Sequence, residues 1–150
     1  MMSDDTPRGG LVPGMLARPA IFMLARIAIA VPFLLSGAVK LLDFGGAVAE
    51  VRALAGVEPA SVMAVLVIGV QLAGSCLVIA GGRYAWIGAG LLAGFTAVAT
   101  LIAHAFWLKP ATERALHQNI FFEHVSIIGG LLLVAAVSAD LAARDRRARN

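Results

Sequence analysis

Residues 60–108 read ASVMAVLVIGVQLAGSCLVIAGGRYAWIGAGLLAGFTAVATLIAHAFWL, two long apolar runs joined by little more than Gly81, Gly82 and Arg83. Each run has the length of about 20 residues that a helix needs to cross a bilayer, and neither alternates in polarity as a membrane barrel strand must. So short a link allows only an antiparallel helical hairpin. Two further apolar runs flank it, Pro19 to Leu42 and Ile120 to Leu141. The fold class predicted is all-α: an integral membrane four-helix bundle with antiparallel spans at about 19–42, 60–80, 84–108 and 120–141.

Composition agrees. The chain of 150 residues is 60% hydrophobic and 14% charged, where a soluble domain is about 45–50% apolar and about 25% charged. Four spans leave no room for a separate soluble catalytic domain. Four of the twelve basic residues, Arg144, Arg146, Arg147 and Arg149, crowd the last seven positions. This basic tail at 142–150 points to anionic lipid headgroups, and nucleic acid is not expected as a partner. One cysteine, Cys76, excludes an intrachain disulfide or dithiol pair.

Residues 1–18, rich in Gly, Pro and charge, are predicted to be a flexible cytoplasmic leader. Between the first two spans, Ala47, Val48, Val51, Leu54 and Ala55 recur at helical spacing opposite Glu50 and Arg52, the pattern of a short amphipathic interfacial helix. Residues 109–119 are expected to be a loop, because Pro110 stops the preceding helix. Seven Lys and Arg on the side of the hairpin and both termini face four on the other side. The expected placement is therefore the bacterial inner membrane with both termini cytoplasmic.

Polar groups within hydrocarbon are costly and mark the places where a bundle does something. Arg26, Phe33 and Lys40 recur every seven residues on the first span, with Pro32, Ser36 and Gly37 nearby; Gln71 and Ser75 lie one turn apart on the second. Thr96, Thr100 and His104 recur every four residues on the third, followed by Trp107 at interfacial depth. On the fourth, Asn119, Glu123, Ser126 and Gly130 form a stripe, with His124 about 100° round the helix from Glu123. Antiparallel packing brings the end of the third span and the start of the fourth to one depth, near Lys40 and Asp43. The predicted small-ligand pocket is thus Lys40, Asp43, His104, Trp107 and His124, with His104 and Glu123 as a candidate proton relay and Arg26, Gln71 and Thr100 as further intramembrane polar residues. His117 is taken for a loop residue. His104 and His124 are the one pair suited to haem or metal, without a CxxCH or His-x-x-x-His pattern, and no metal site is expected. The glycines of GAGLLAG (88–94) lie mid-span with no preceding strand, so Gly90 and Gly94 read as a helix-packing face.

These residues together resemble the DoxX family of small four-helix bacterial membrane proteins. The resemblance runs from about Leu24 to Leu133 and rests on Arg26 with Phe33-Leu34-Leu35-Ser36-Gly37-Ala38-Val39-Lys40-Leu41. It rests also on Ala99-Thr100-Leu101-Ile102-Ala103-His104-Ala105-Phe106-Trp107, and on Phe121-Phe122 with Gly129-Gly130-Leu131. The chain departs from the family in having Gln71 where members often carry glutamate, and Glu123-His124 where many have Lys-Asn. The resemblance implies a link to thiosulfate:quinone oxidoreduction or to membrane-associated thiol-redox and oxidative-stress complexes. The leading expectation is a membrane subunit of a redox or sulfur-metabolising system, with a quinone between helices and a redox protein partner. Any catalysis would then be that of a subunit of a quinone-linked oxidoreductase rather than of this chain alone. A non-catalytic scaffold or assembly factor is one alternative, and a small anion or lipid transporter using Arg26 and Lys40 is another. Assembly with a second copy stays open.

Overall fold

The computed structural model describes residues 19–149, so the expected leader at 1–18 lies outside the described residues. Among the described residues five α-helices follow one another: α1 Pro19–Leu42, α2 Phe44–Ala55, α3 Ala60–Ala80, α4 Ala85–Ala103 and α5 Ala111–Arg149. Short 3-10 turns at Gly82–Tyr84 and Phe106–Leu108 sit on either side of α4. Four segments are long and apolar enough to cross a membrane, and among the described residues there is no strand. The molecule is an all-helical integral membrane bundle.

Its packing is that of a lipid-soluble protein. Buried positions are held largely by small residues, Ala30, Ala60, Ala64, Ala85, Ala89, Gly37, Gly74 and Gly88 among them. Large aliphatic side chains such as Leu24, Leu35, Leu66 and Leu133 point outward. Lipid tails are as apolar as leucine, so helices gain by close backbone approach rather than by hiding leucine. α1 packs on α3, α3 on α4 and α4 on α5, with lighter contact between α5 and α1. A Cβ on Gly88 would stand 2.6 Å from the Gly74 carbonyl oxygen, so α3 and α4 approach closely at this glycine pair. Gly90 and Gly94 meet nothing within 4 Å, so within this chain the packing face predicted for them belongs to Gly88 instead. Their face lines an apolar groove between α3 and α4.

Three boundaries differ from the expectation. The third span stops at Ala103, where the backbone of His104 donates the last helical bond to the Thr100 carbonyl at 2.8 Å, and a 3-10 turn completes the crossing. The expected loop at 109–119 is helical from Ala111: Pro110 ends one segment and starts the next, its carbonyl accepting from Glu113 and Arg114 N–H at 3.0 Å each. Proline lacks an N–H and suits the start of a helix, and Glu113 in the first turn complements the helix dipole. The expected tail continues the same helix as far as Arg149, stiffened by an Asp140–Arg144 ion pair at 2.8 Å one turn apart.

The hairpin turn depends on glycine. Gly81 has φ +76° and a Cβ there would overlap the guanidinium of Arg26. The short link predicted from the sequence therefore also admits an α1 side chain against the end of α3.

Candidate functional site

Thr96 and Thr100 are buried on α4, and each hydroxyl donates to the carbonyl one turn back, Leu92 at 2.7 Å and Thr96 at 2.6 Å. Because the Thr100 hydroxyl has spent its hydrogen, its 2.8 Å contact with His124 Nδ1 takes the proton from the ring. His124 donates from Nδ1, and a neutral ring then carries its lone pair on Nε2.

His104 sits at the C-terminal cap of α4 rather than inside the helix, where the broken backbone turns its ring toward α5. Its Nδ1 is 3.0 Å from Nδ1 of His117, and its ring lies 5.3 Å, edge on, from that of His124. Two neutral rings can share that short contact only if one donates and one accepts. Glu113 lies 3.8 Å from His117 Nε2, beyond hydrogen-bond distance, on the opposite side of that ring from His104. The rings of His104, His117 and His124 thus form one cluster where α4 meets α5. Next to these histidines, Phe106, Trp107, Phe121 and Phe122 pack together, edge to face at centroid distances of 5.1–5.7 Å except for Phe106 and Phe122, which are tilted at 6.3 Å.

His104, His124, Thr100 and the aromatic group around Trp107 are therefore brought together, and His117 joins them. Sequence reasoning missed His117, yet a signal was present: it lies seven residues before His124, and Leu131 and Ser138 continue the same spacing on the inward face of α5. The stripe of Asn119, Glu123 and Ser126 faces outward. Glu123 is exposed about 100° round the helix from His124, and among the described residues it makes no hydrogen bond or ion pair with His104.

Lys40 and Asp43 are engaged elsewhere. Lys40 pairs with Glu50 of α2 at 2.8 Å and donates to Ser36 at 3.4 Å. Asp43 caps α2, its carboxylate accepting from Gly46 N–H at 2.9 Å. Among the described residues, neither bonds to a histidine. Gln71, buried on α3, donates to the Ser36 oxygen at 3.1 Å, and its Oε1 finds no partner among the described residues. Arg26 lies at the other end of the bundle, its Nη1 donating to the Val78 carbonyl at 3.4 Å and its guanidinium over the Phe22 ring at 5.3 Å. Outside the spans, Arg52 and Glu58 meet at 2.6 Å. The hydrogen bond to Arg52, aided by one from Ala60 N–H, holds the Glu58 carboxyl below the usual carboxylate range. Among the described residues no group of three or more His, Cys, Asp or Glu has the arrangement of a metal site.

The DoxX family pattern matches residues 21–105 of this chain, which takes in Arg26, Lys40, Gln71, Thr100 and His104 and stops before α5. Inner membrane protein YphA of Escherichia coli (strain K12) is 29% identical over 133 residues, covering 87% of this chain and 92% of that protein. No solved structure matches. With more than half its length inside the family pattern and the four spans in place, the chain belongs to the DoxX family.

Proposed function

We propose that this protein is an inner-membrane subunit of a redox or sulfur- and thiol-metabolising system, in which the histidine triad receives a quinone-type ligand. The observation that carries the reading is the cluster of three imidazole rings, His104, His117 and His124. Imidazoles in a half-buried cluster suit hydrogen bonding to a quinol hydroxyl and acceptance of its proton, and quinol oxidation releases two protons along with two electrons. The aromatic group from Phe106 to Phe122 offers rings against which a planar headgroup can stack. A quinone when bound supplies the electron chemistry; the chain supplies orientation and proton acceptance. With a single cysteine, this chain cannot form an internal dithiol, so electrons would pass to or from a partner protein. The similarity to an inner membrane protein supports the location.

The transporter alternative loses one of its two cations, since Lys40 is neutralised by Glu50. The test is extraction of the full chain, purified in mild detergent, for copurifying quinone, alongside His104→Ala and His124→Ala. Stoichiometric quinone lost from both variants supports the reading. A wild-type protein that carries none and takes up none when a short-chain quinol is added overturns it.

A further inference from the structure

Beneath the Gly81–Gly82 hairpin, at the end of the bundle remote from the histidines, α1, the start of α4 and the end of α5 line a half-open cavity of about 1270 Å3. α4 alone, 19 residues long, separates the two regions by about 28 Å. The polar lining comprises Arg26, Arg83, Ser138, Asp145 and Arg146, three guanidinium groups against one carboxylate. Apolar walls come from Phe22, Trp86, Ile87 and Leu141.

Two buried polar groups in this lining are unsatisfied. Ser138 is only 4% exposed, and its Oγ has no hydrogen-bond partner among the described residues. The other buried helical hydroxyls do otherwise: Thr96 and Thr100 donate to the carbonyl one turn back, and Ser75 donates to Ala30 of α1 at 3.2 Å. The Arg26 Nε is likewise buried and unpartnered, so that guanidinium, which carries five N–H donors, spends one on a long contact to Val78. Buried donors are nearly always matched by an acceptor, and a tetrahedral oxyanion presents several at once.

We propose that this cavity is a binding site for the phosphate of an anionic phospholipid, with Arg26 and Ser138 as its inner donors, Arg83 and Arg146 at its mouth, and the acyl chains along the apolar walls. Arginine favours phosphate because its planar fork makes paired, charge-assisted bonds. The depth suits a headgroup: Arg26 lies seven residues into α1 and its partner Val78 two residues from the end of α3. Arg83 stacked on Tyr84 at 4.5 Å belongs to the interfacial belt, where rings with a polar edge settle. Asp145 faces the same cavity and disfavours a second anion.

The test uses the delipidated full chain in a neutral detergent, titrated with dioleoylphosphatidylglycerol, with dioleoylglycerol, which has the same tails and no phosphate, and with inorganic phosphate. Binding is read by native mass spectrometry and by thermal shift. Phosphatidylglycerol is expected to bind one per chain. Affinity should fall about tenfold or more in Arg26→Gln and about three- to tenfold in Ser138→Ala, which removes one oxygen and leaves the helix intact. Arg26→Lys, keeping the charge without the fork, should fall between wild type and Arg26→Gln. Thermal protection by inorganic phosphate as strong as that by lipid, and lost in the same variants, would uphold the phosphate site with a free anion as its source. Equal binding of dioleoylglycerol, or unchanged phosphatidylglycerol affinity in folded Ser138→Ala and Arg26→Gln, would overturn the proposal.

Discussion

Thr100 Oγ1 stands 2.8 Å from Nδ1 of His124 while donating its own hydrogen to Thr96. One hydroxyl on α4 thereby decides which nitrogen of a ring on α5 carries the proton. Thr100→Val keeps the shape and removes the acceptor. The variant should fold, lose about 1 kcal/mol of stability, and release His124 from a single tautomer. Imidazole 15N chemical shifts read this directly; an unchanged His124 tautomer would show that another group orients the ring.

The glycines of the α3–α4 contact should behave oppositely to those of the outward groove. Gly88→Ala drives a methyl into the backbone of α3 near Gly74 and should cost about 1–3 kcal/mol. Gly90→Ala and Gly94→Ala meet open space and should be neutral, or stabilising by up to about 1 kcal/mol each through helix propensity. Unfolding midpoints in one detergent compare all three. A Gly90 or Gly94 variant as damaging as Gly88→Ala would show that a second molecule packs on the groove.

Lys40 ties α1 to α2 rather than serving the histidines. A double-mutant cycle of Lys40→Met and Glu50→Gln should give a coupling of about 1 kcal/mol or less, as for a partly exposed pair. Neither change should alter ligand retention at the triad. Loss of quinone in Lys40→Met but not in Glu50→Gln would return Lys40 to the site.

Glu58 gives a pH signature outside the membrane. Its carboxyl titrates lower in the folded chain than in the unfolded one, chiefly through the hydrogen bond from Arg52. The stabilisation is therefore complete above the ordinary carboxylate value of about 4.3 and is lost as pH falls through the lower, folded one. The midpoint difference between wild type and Glu58→Gln should shrink as the pH is lowered through that window. A constant difference would mean that the Arg52–Glu58 contact does not persist in solution.

The spans were legible because lipid imposes one rule along their whole length, a run of apolar residues long enough to cross. Helix ends were not, because what decides them is local: Pro110 stops one helix and starts another with equal ease, and the mostly polar residues of 111–119 accept a helix without forming an apolar run. The polar residues were visible, but the face each presents was not. Asn119, Glu123 and Ser126 form as regular a stripe as His117, His124 and Ser138, and only contact with α4 shows which of them turns inward. Asp43 and Lys40 find their partners in α2, a backbone N–H and Glu50, which the spacing of the first span alone does not reveal.

α5 runs unbroken for 39 residues, or about 58 Å, nearly twice the hydrocarbon thickness. His117, His124, Leu131 and Ser138 fall within about 60° of one another around it. One continuous helix carries a histidine pair toward one end and a hydroxyl toward the other, with Gly129-Gly130 between them. A tilt of that helix to match a thinner bilayer would therefore shift the histidines and Ser138 together, unless the glycine pair bends to absorb it.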